Sequence, residues 1–152
     1  MKTACTKFLA SQALILRTIL AGSLLANTLA QAAEKAEAQV KIPATSQAIW
    51  QSIDKETEQL AALIQSGKFE EVHHHAFAIR DLVAALPAHS GALPADKLAQ
   101  VKANSKLFVA TLAGRLDATG DAKDKAGTES NFRKLQGVLK VILADYAGSI
   151  QK

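Results

Sequence analysis

Apolar residues recur at steps of three and four along four long stretches of the chain, the spacing that aligns one face of an α-helix. In the first, residues 46–66, Ile49, Ile53, Leu60 and Ile64 share a stripe with Trp50 and Thr57 at its edge, and Gly67 follows as a helix C-terminal residue. The second, 69–86, aligns Phe69, Val72, Ala76, Ile79, Val83 and Leu86 before Pro87 ends it. A loop at 87–93 (PAHSGAL) leads to Pro94, which opens a helix well because it lacks an N–H that the first turn leaves unpaired anyway. The third, 95–118, aligns Leu98, Val101, Ser105, Val109, Leu112 and Leu116, with Phe108 beside them. Gly120 is expected to close this helix, and Asp121 to cap the next, with Asp124 three residues on. The last stripe is Phe132, Leu135, Val138, Leu139, Ile142 and Tyr146. No stretch alternates with period two over a useful length, so no strands are expected. Four amphipathic helices with short links predict an all-α fold: an antiparallel up-down-up-down four-helix bundle over 46–152.

The N-terminus follows another pattern. Lys2, Lys7 and Arg17, with no acidic residue among them, flank and precede a short apolar core at 19–26, and Ala30-Gln31-Ala32 offers an A-x-A cleavage site. Residues 1–32 therefore read as a signal peptide cleaved near Ala32, and the apolar run is well short of the roughly 20 residues of a membrane span. No stable membrane span is expected after cleavage. Cys5 lies ahead of the apolar core, not at its end where a lipid anchor would sit. Residues 33–45 (AEKAEAQVKIPAT) alternate charge with alanine up to Pro43 and read as a flexible leader.

Cleavage changes the electrostatics. The 152 residues carry 18 basic and 14 acidic side chains, for a net charge of +4. Loss of residues 1–32 removes three basic residues and no acidic one, leaving +1 with both signs scattered throughout, a pattern that does not suit nucleic-acid binding. It also removes the single cysteine and the single methionine, which excludes thiol catalysis and sulfur ligation of a metal. The chain has no G-x-S-x-G, H-E-x-x-H, phosphate-loop or dinucleotide motif, and it is read as a non-enzyme.

The candidate chemistry lies in His73-His74-His75, with His89 in the next loop. Neighbouring residues on a helix point about 100° apart, so three consecutive histidines cannot converge on one ion. With Val72 at the centre of the buried face, His75 falls at its margin, His73 on the opposite flank, and His74 toward water. Glu71 with His75, and Glu70 with His74, stand one turn apart. Counting back through the turn at Gly67 puts Glu58 and Thr57 level with His75, and counting onward puts Ser105 and Gln136 near it. A metal site would use His75 and Glu71 with Glu58 from the facing helix, and His73, His74 and His89 as exposed donors. Imidazole and carboxylate ligands suit Zn(II), Cu(II) or Ni(II). The competing reading makes Thr57, His75 and Ser105 a hydrogen-bonded polar layer that fixes helix register, with His73 and His74 solvated.

Residues 73–87 (HHHAFAIRDLVAALP) and 93–97 (LPADK) resemble small exported helical proteins encoded near heavy-metal efflux systems of Gram-negative bacteria. The resemblance implies a periplasmic location and an accessory role in transition-metal binding or resistance, with a metal-efflux or other envelope protein as partner. It supplies no ligand set for these positions. The form is also similar to periplasmic four-helix cytochromes, yet the chain has no C-x-x-C-H and no methionine beyond Met1, so haem is not expected. The alternative is a protein-interaction module or helical scaffold with structural histidines. Arg80, beside Asp81, is then a candidate partner contact, and Phe77 and Leu107, off the main stripes, are candidates for pairing two copies in a homodimer or for filling the flanks of the core.

Overall fold

A threonine hydroxyl sets where the first helix begins. In the computed structural model, which describes residues 40–146, Thr45 Oγ1 accepts the Ala48 backbone N–H at 3.2 Å and α1 follows as Ser46–Ser66. The expected signal peptide, 1–32, and residues 33–39 of the leader lie outside the described residues. Helix α1 ends at Gly67, whose φ of +74° lets its N–H reach the Ile64 carbonyl and the Lys68 N–H reach that of Leu63. A 3-10 turn, Phe69–Glu71, leads into α2, Val72–Ala85, and a second 3-10 turn, Leu86–His89, leads out of it. The third stretch is a rod of three parts: α3, Ala95–Asn104, a π turn, Ser105–Val109, and α4, Ala110–Asp121. The last helix, α5, is Lys125–Tyr146. There is no strand among the described residues, and none of their helices is long and apolar enough to cross a membrane.

Helix α2 packs against α1 on one side and α4 on the other, α5 packs against α3 and α4, and α1 against α5 completes the set. Every residue of the four expected stripes is buried except Leu98 and Val138, which are half-buried. Leu82 and Ala113 add to them, because α2 and α4 each touch two neighbours and bury a wider arc than one stripe. Each fully buried Leu, Ile or Val contributes about 1.5–3 kcal/mol, so the shared core outweighs any polar contact in the molecule.

The turn after α4 departs from expectation. Gly120 lies buried inside the helix, where an added Cβ would stand 3.0 Å from the Phe69 carbonyl oxygen and 3.3 Å from Val72 Cβ. Its smallness serves close approach of α4 to the entry of α2, not termination. The reversal falls on Lys123, at φ +53°, with the Lys123 N–H on the Gly120 carbonyl and the Asp124 N–H on that of Thr119. The cap of α5 is consequently Asp124, whose Oδ1 accepts the Gly127 N–H at 3.0 Å, and Asp121 ends α4.

Polar contacts tie together the end of the bundle where α1 and α3 start and α5 stops. Trp50 meets Tyr146 edge to face, with ring centroids 5.7 Å apart. The Tyr146 hydroxyl donates to Ser90 Oγ at 2.7 Å, and Ser90 donates to the Leu86 carbonyl. Trp50 is buried, and its Nε1–H has no hydrogen-bond partner among the described residues. Lys97 Nζ bonds Asp145 Oδ1 at 2.8 Å; that hydrogen bond first, and the carboxylate's charge next, hold the ammonium above its ordinary value. Burial holds the Tyr146 phenol above its ordinary value; the Ser90 hydrogen bond opposes the shift and the charge of Asp145 adds to it.

A raised phenol pKa stabilises the fold below the unfolded value of about 10, and that stabilisation is lost as pH climbs through the folded value. Tyr146 is the sole tyrosine, so ultraviolet titration is expected to give a midpoint above about 10 in the native protein and a return to about 10 in urea. At the α4 turn, Lys123→Gly is expected to stabilise by about 0.5–1 kcal/mol and Gly120→Val to destabilise by about 1–3 kcal/mol in urea unfolding.

Candidate functional site

The three histidines open α2 directly after the 3-10 turn, and their surroundings diverge as the 100° step requires. His75, at the margin of the buried face, bonds Glu56 of α1: Nδ1 to Oε2 is 2.6 Å, with the two side chains 22% and 20% exposed. His74 is exposed and His73 half-buried, and their rings lie 3.8 Å apart between centroids, tilted by 39°.

The carboxylate that meets His75 is not Glu58. Glu56 follows Ile53 by three residues and precedes Leu60 by four, which puts it on the flank of the buried stripe. Glu58 is rotated about 200° from it and faces solvent. Counting through the turn found the height along α1 but picked the wrong side. The actual neighbour of Glu58 is Asp54, whose carboxyl is held above its usual value by partial desolvation first and by the Glu58 charge second.

Glu71 is exposed on the 3-10 turn, and His89 Nδ1–H donates to the Ala44 carbonyl at 3.0 Å, fastening the described end of the leader to the loop after α2. Val40 packs on the core from the same segment. Among the described residues, no three His, Cys, Asp or Glu side chains are placed to hold one metal ion. The polar layer is not assembled as expected either. The Thr57 hydroxyl donates within its own helix to Ile53 at 2.7 Å, and Ser105 lies across α2, lining a cleft with Arg80 and Asp81.

Comparison with protein-family models, with curated proteins and with solved structures found no match to this chain.

Two surface features flank the π turn. On one side, Leu107 and Phe108 are 60% and 51% exposed, and Phe108 faces Val138 and Val141 of α5 across an open groove of about 390 Å³ that Asn104, Lys134 and Gly137 also line. On the other, the cleft beside α2 carries Arg80, Lys102 and Lys106. Arg80 Nε donates to Asp81 Oδ1 at 2.8 Å, and the guanidinium lies 4.5 Å from the centroid of the Phe77 ring. Phe77 is thus half-buried against the core while Leu107 stands exposed.

The π turn had no signal in the sequence: from Leu98 to Leu116 the stripe advances by 3, 4, 4, 3 and 4 residues, the average period of a regular helix. It is closed by the Ala110 N–H on the Ser105 carbonyl, five residues back.

A double-mutant cycle of His75→Ala and Glu56→Ala is expected to show a coupling of about 1 kcal/mol in urea unfolding. Glu58→Ala and Glu71→Ala, made alone, are expected to change stability by less than about 0.5 kcal/mol.

Proposed function

We propose that this chain is a non-catalytic, exported helical module that acts at the cell envelope by binding another protein, with His75 serving structure. The observation that carries this reading is the apolar surface formed by Phe108, Val138 and Val141 around an open groove, beside exposed Leu107. The groove suits the apolar face of an amphipathic helix, with an acidic residue of the partner against Lys134. An antiparallel up-down-up-down arrangement is supported by contacts that join opposite helix ends: Trp50 with Tyr146, Lys97 with Asp145, and the entry of α2 with Gly120. Export to the periplasm is supported by the basic and apolar pattern of residues 1–32 and by the resemblance to efflux-associated proteins.

Transition-metal handling is the second reading. It is favoured by the His75–Glu56 pair, two ligand types drawn together from different helices, and by the adjoining rings of His73 and His74 on the same turn. Zn(II), Cu(II) or Ni(II) would take these donors in their deprotonated forms.

One pair of measurements separates the readings. A photo-crosslinking residue placed at Phe108 in the exporting cell is expected to capture one predominant protein, and Val141→Asp is expected to abolish that product. Indistinguishable products from Phe108 and from the exposed control position Gln65 would overturn the interaction reading. Calorimetric titration with the three metals is expected to give no stoichiometric binding. Micromolar or tighter binding that is lost on joint replacement of His73, His74 and His75 by Gln would instead establish metal handling.

A further inference from the structure

The cleft between the second half of α2 and the π turn is lined by Arg80, Asp81, Ala84, Pro87, Lys102, Ser105, Lys106 and Ala110, and has a volume of about 420 Å³. We propose that it binds a small organic anion, whose carboxylate or phosphate is held by Arg80, Lys102 and Lys106 while its apolar body lies along Ala84, Pro87 and Ala110.

Charge is the first argument. Lys102 and Lys106 are one turn apart on the rod and project from one side of it. No carboxylate among the described residues pairs with either of them. The single acid of the cleft, Asp81, is engaged by Arg80 Nε at 2.8 Å. Three cations therefore face one already bonded carboxylate, so the lining carries +2 in a protein whose mature form carries +1 in all. Like charges held together in this way repel one another, and an anion placed between them removes the repulsion.

The serine supplies an independent argument. Ser52, Thr57, Thr111 and Thr128 each donate to the carbonyl four residues earlier, the usual fate of a hydroxyl on a helix. Ser105 does not: it is 8% exposed, lines the cleft, and its hydroxyl has no hydrogen-bond partner among the described residues. That hydroxyl still touches water, and an oxyanion in the cleft would accept its proton in place of water. Ser105 is also the first residue of the π turn, an element that recurs at binding sites because it displaces side chains from regular helical positions.

Size and walls define the ligand class. The cleft is open to solvent, and its volume exceeds what a bare inorganic oxyanion fills. Two alanines and a proline offer no hydrogen-bonding side chains, so the part of the ligand beyond its charged group is apolar.

The test is a chemical-shift titration of the intact, ¹⁵N-labelled protein with hexanoate, hexyl phosphate and inorganic phosphate as separate probes. Saturable shifts confined to residues 80–87 and 102–110 are expected for at least one hexyl anion, with inorganic phosphate weaker. The tighter of the two hexyl probes identifies the headgroup. Lys102→Gln with Lys106→Gln is expected to weaken binding about tenfold or more, and Ser105→Ala several-fold. Lys55→Gln with Lys140→Gln, the same charge change at exposed positions elsewhere, is expected to leave it unaltered. Shifts that do not saturate for either hexyl anion, equal effects of the two lysine pairs, or equal binding of inorganic and hexyl phosphate would each overturn the proposal. Circular dichroism of the exposed-lysine variants verifies that a loss of binding is not a loss of fold.

Discussion

Burial of four apolar stripes against one another requires each rod to keep its stripe in phase along its whole length. The third rod does so with a π turn in its middle, where Ser105 and Val109 remain buried. Both notable surface features adjoin that turn. Leu107 and Phe108 stand outside the core on the α5 side, and Ser105 lines the cleft on the α2 side. One irregular turn thus borders both places proposed to engage a partner or a ligand.

Polar ties choose among the arrangements that apolar packing alone would permit. His75 to Glu56 fixes α1 against α2 near mid-bundle, while Lys97 to Asp145 and Tyr146 to Ser90 fix the end where α5 stops. Glu56, His75 and Asp145 are at least partly withdrawn from solvent, unlike the 3.9 Å Lys125–Glu129 contact on the outer face of α5, which at that exposure contributes little. Each tie also costs desolvation, so its main effect is on which register forms rather than on how stable the bundle is.

The stripes were legible because periodicity is a property of one segment, and segments of this length bury what they align. What could not be read depended on rotation about an axis or on a neighbour's approach. Glu58 stood at the right height for His75, but the choice between Glu56 and Glu58 is a half-turn of α1 that counting residues through a loop does not determine. Gly120 looked like a helix terminator by type, whereas its role is set by Phe69 and Val72, some fifty residues away in sequence. Asp121 and Asp124 are equally good caps, and the αL conformation at Lys123 selects the second. The apolar groove escaped notice because Val141 lies off the last stripe, and Phe108 looked like a flank of the core.

The meeting of Trp50 and Tyr146 has an optical consequence. They are the sole indole and the sole phenol of the chain, and their rings stand 5.7 Å apart. Light absorbed by the phenol passes to the indole across so short a gap before it can be re-emitted, so the folded protein glows as tryptophan alone. Tyrosine emission emerges when α1 and α5 part at that end, which gives the molecule a built-in reporter of its own opening.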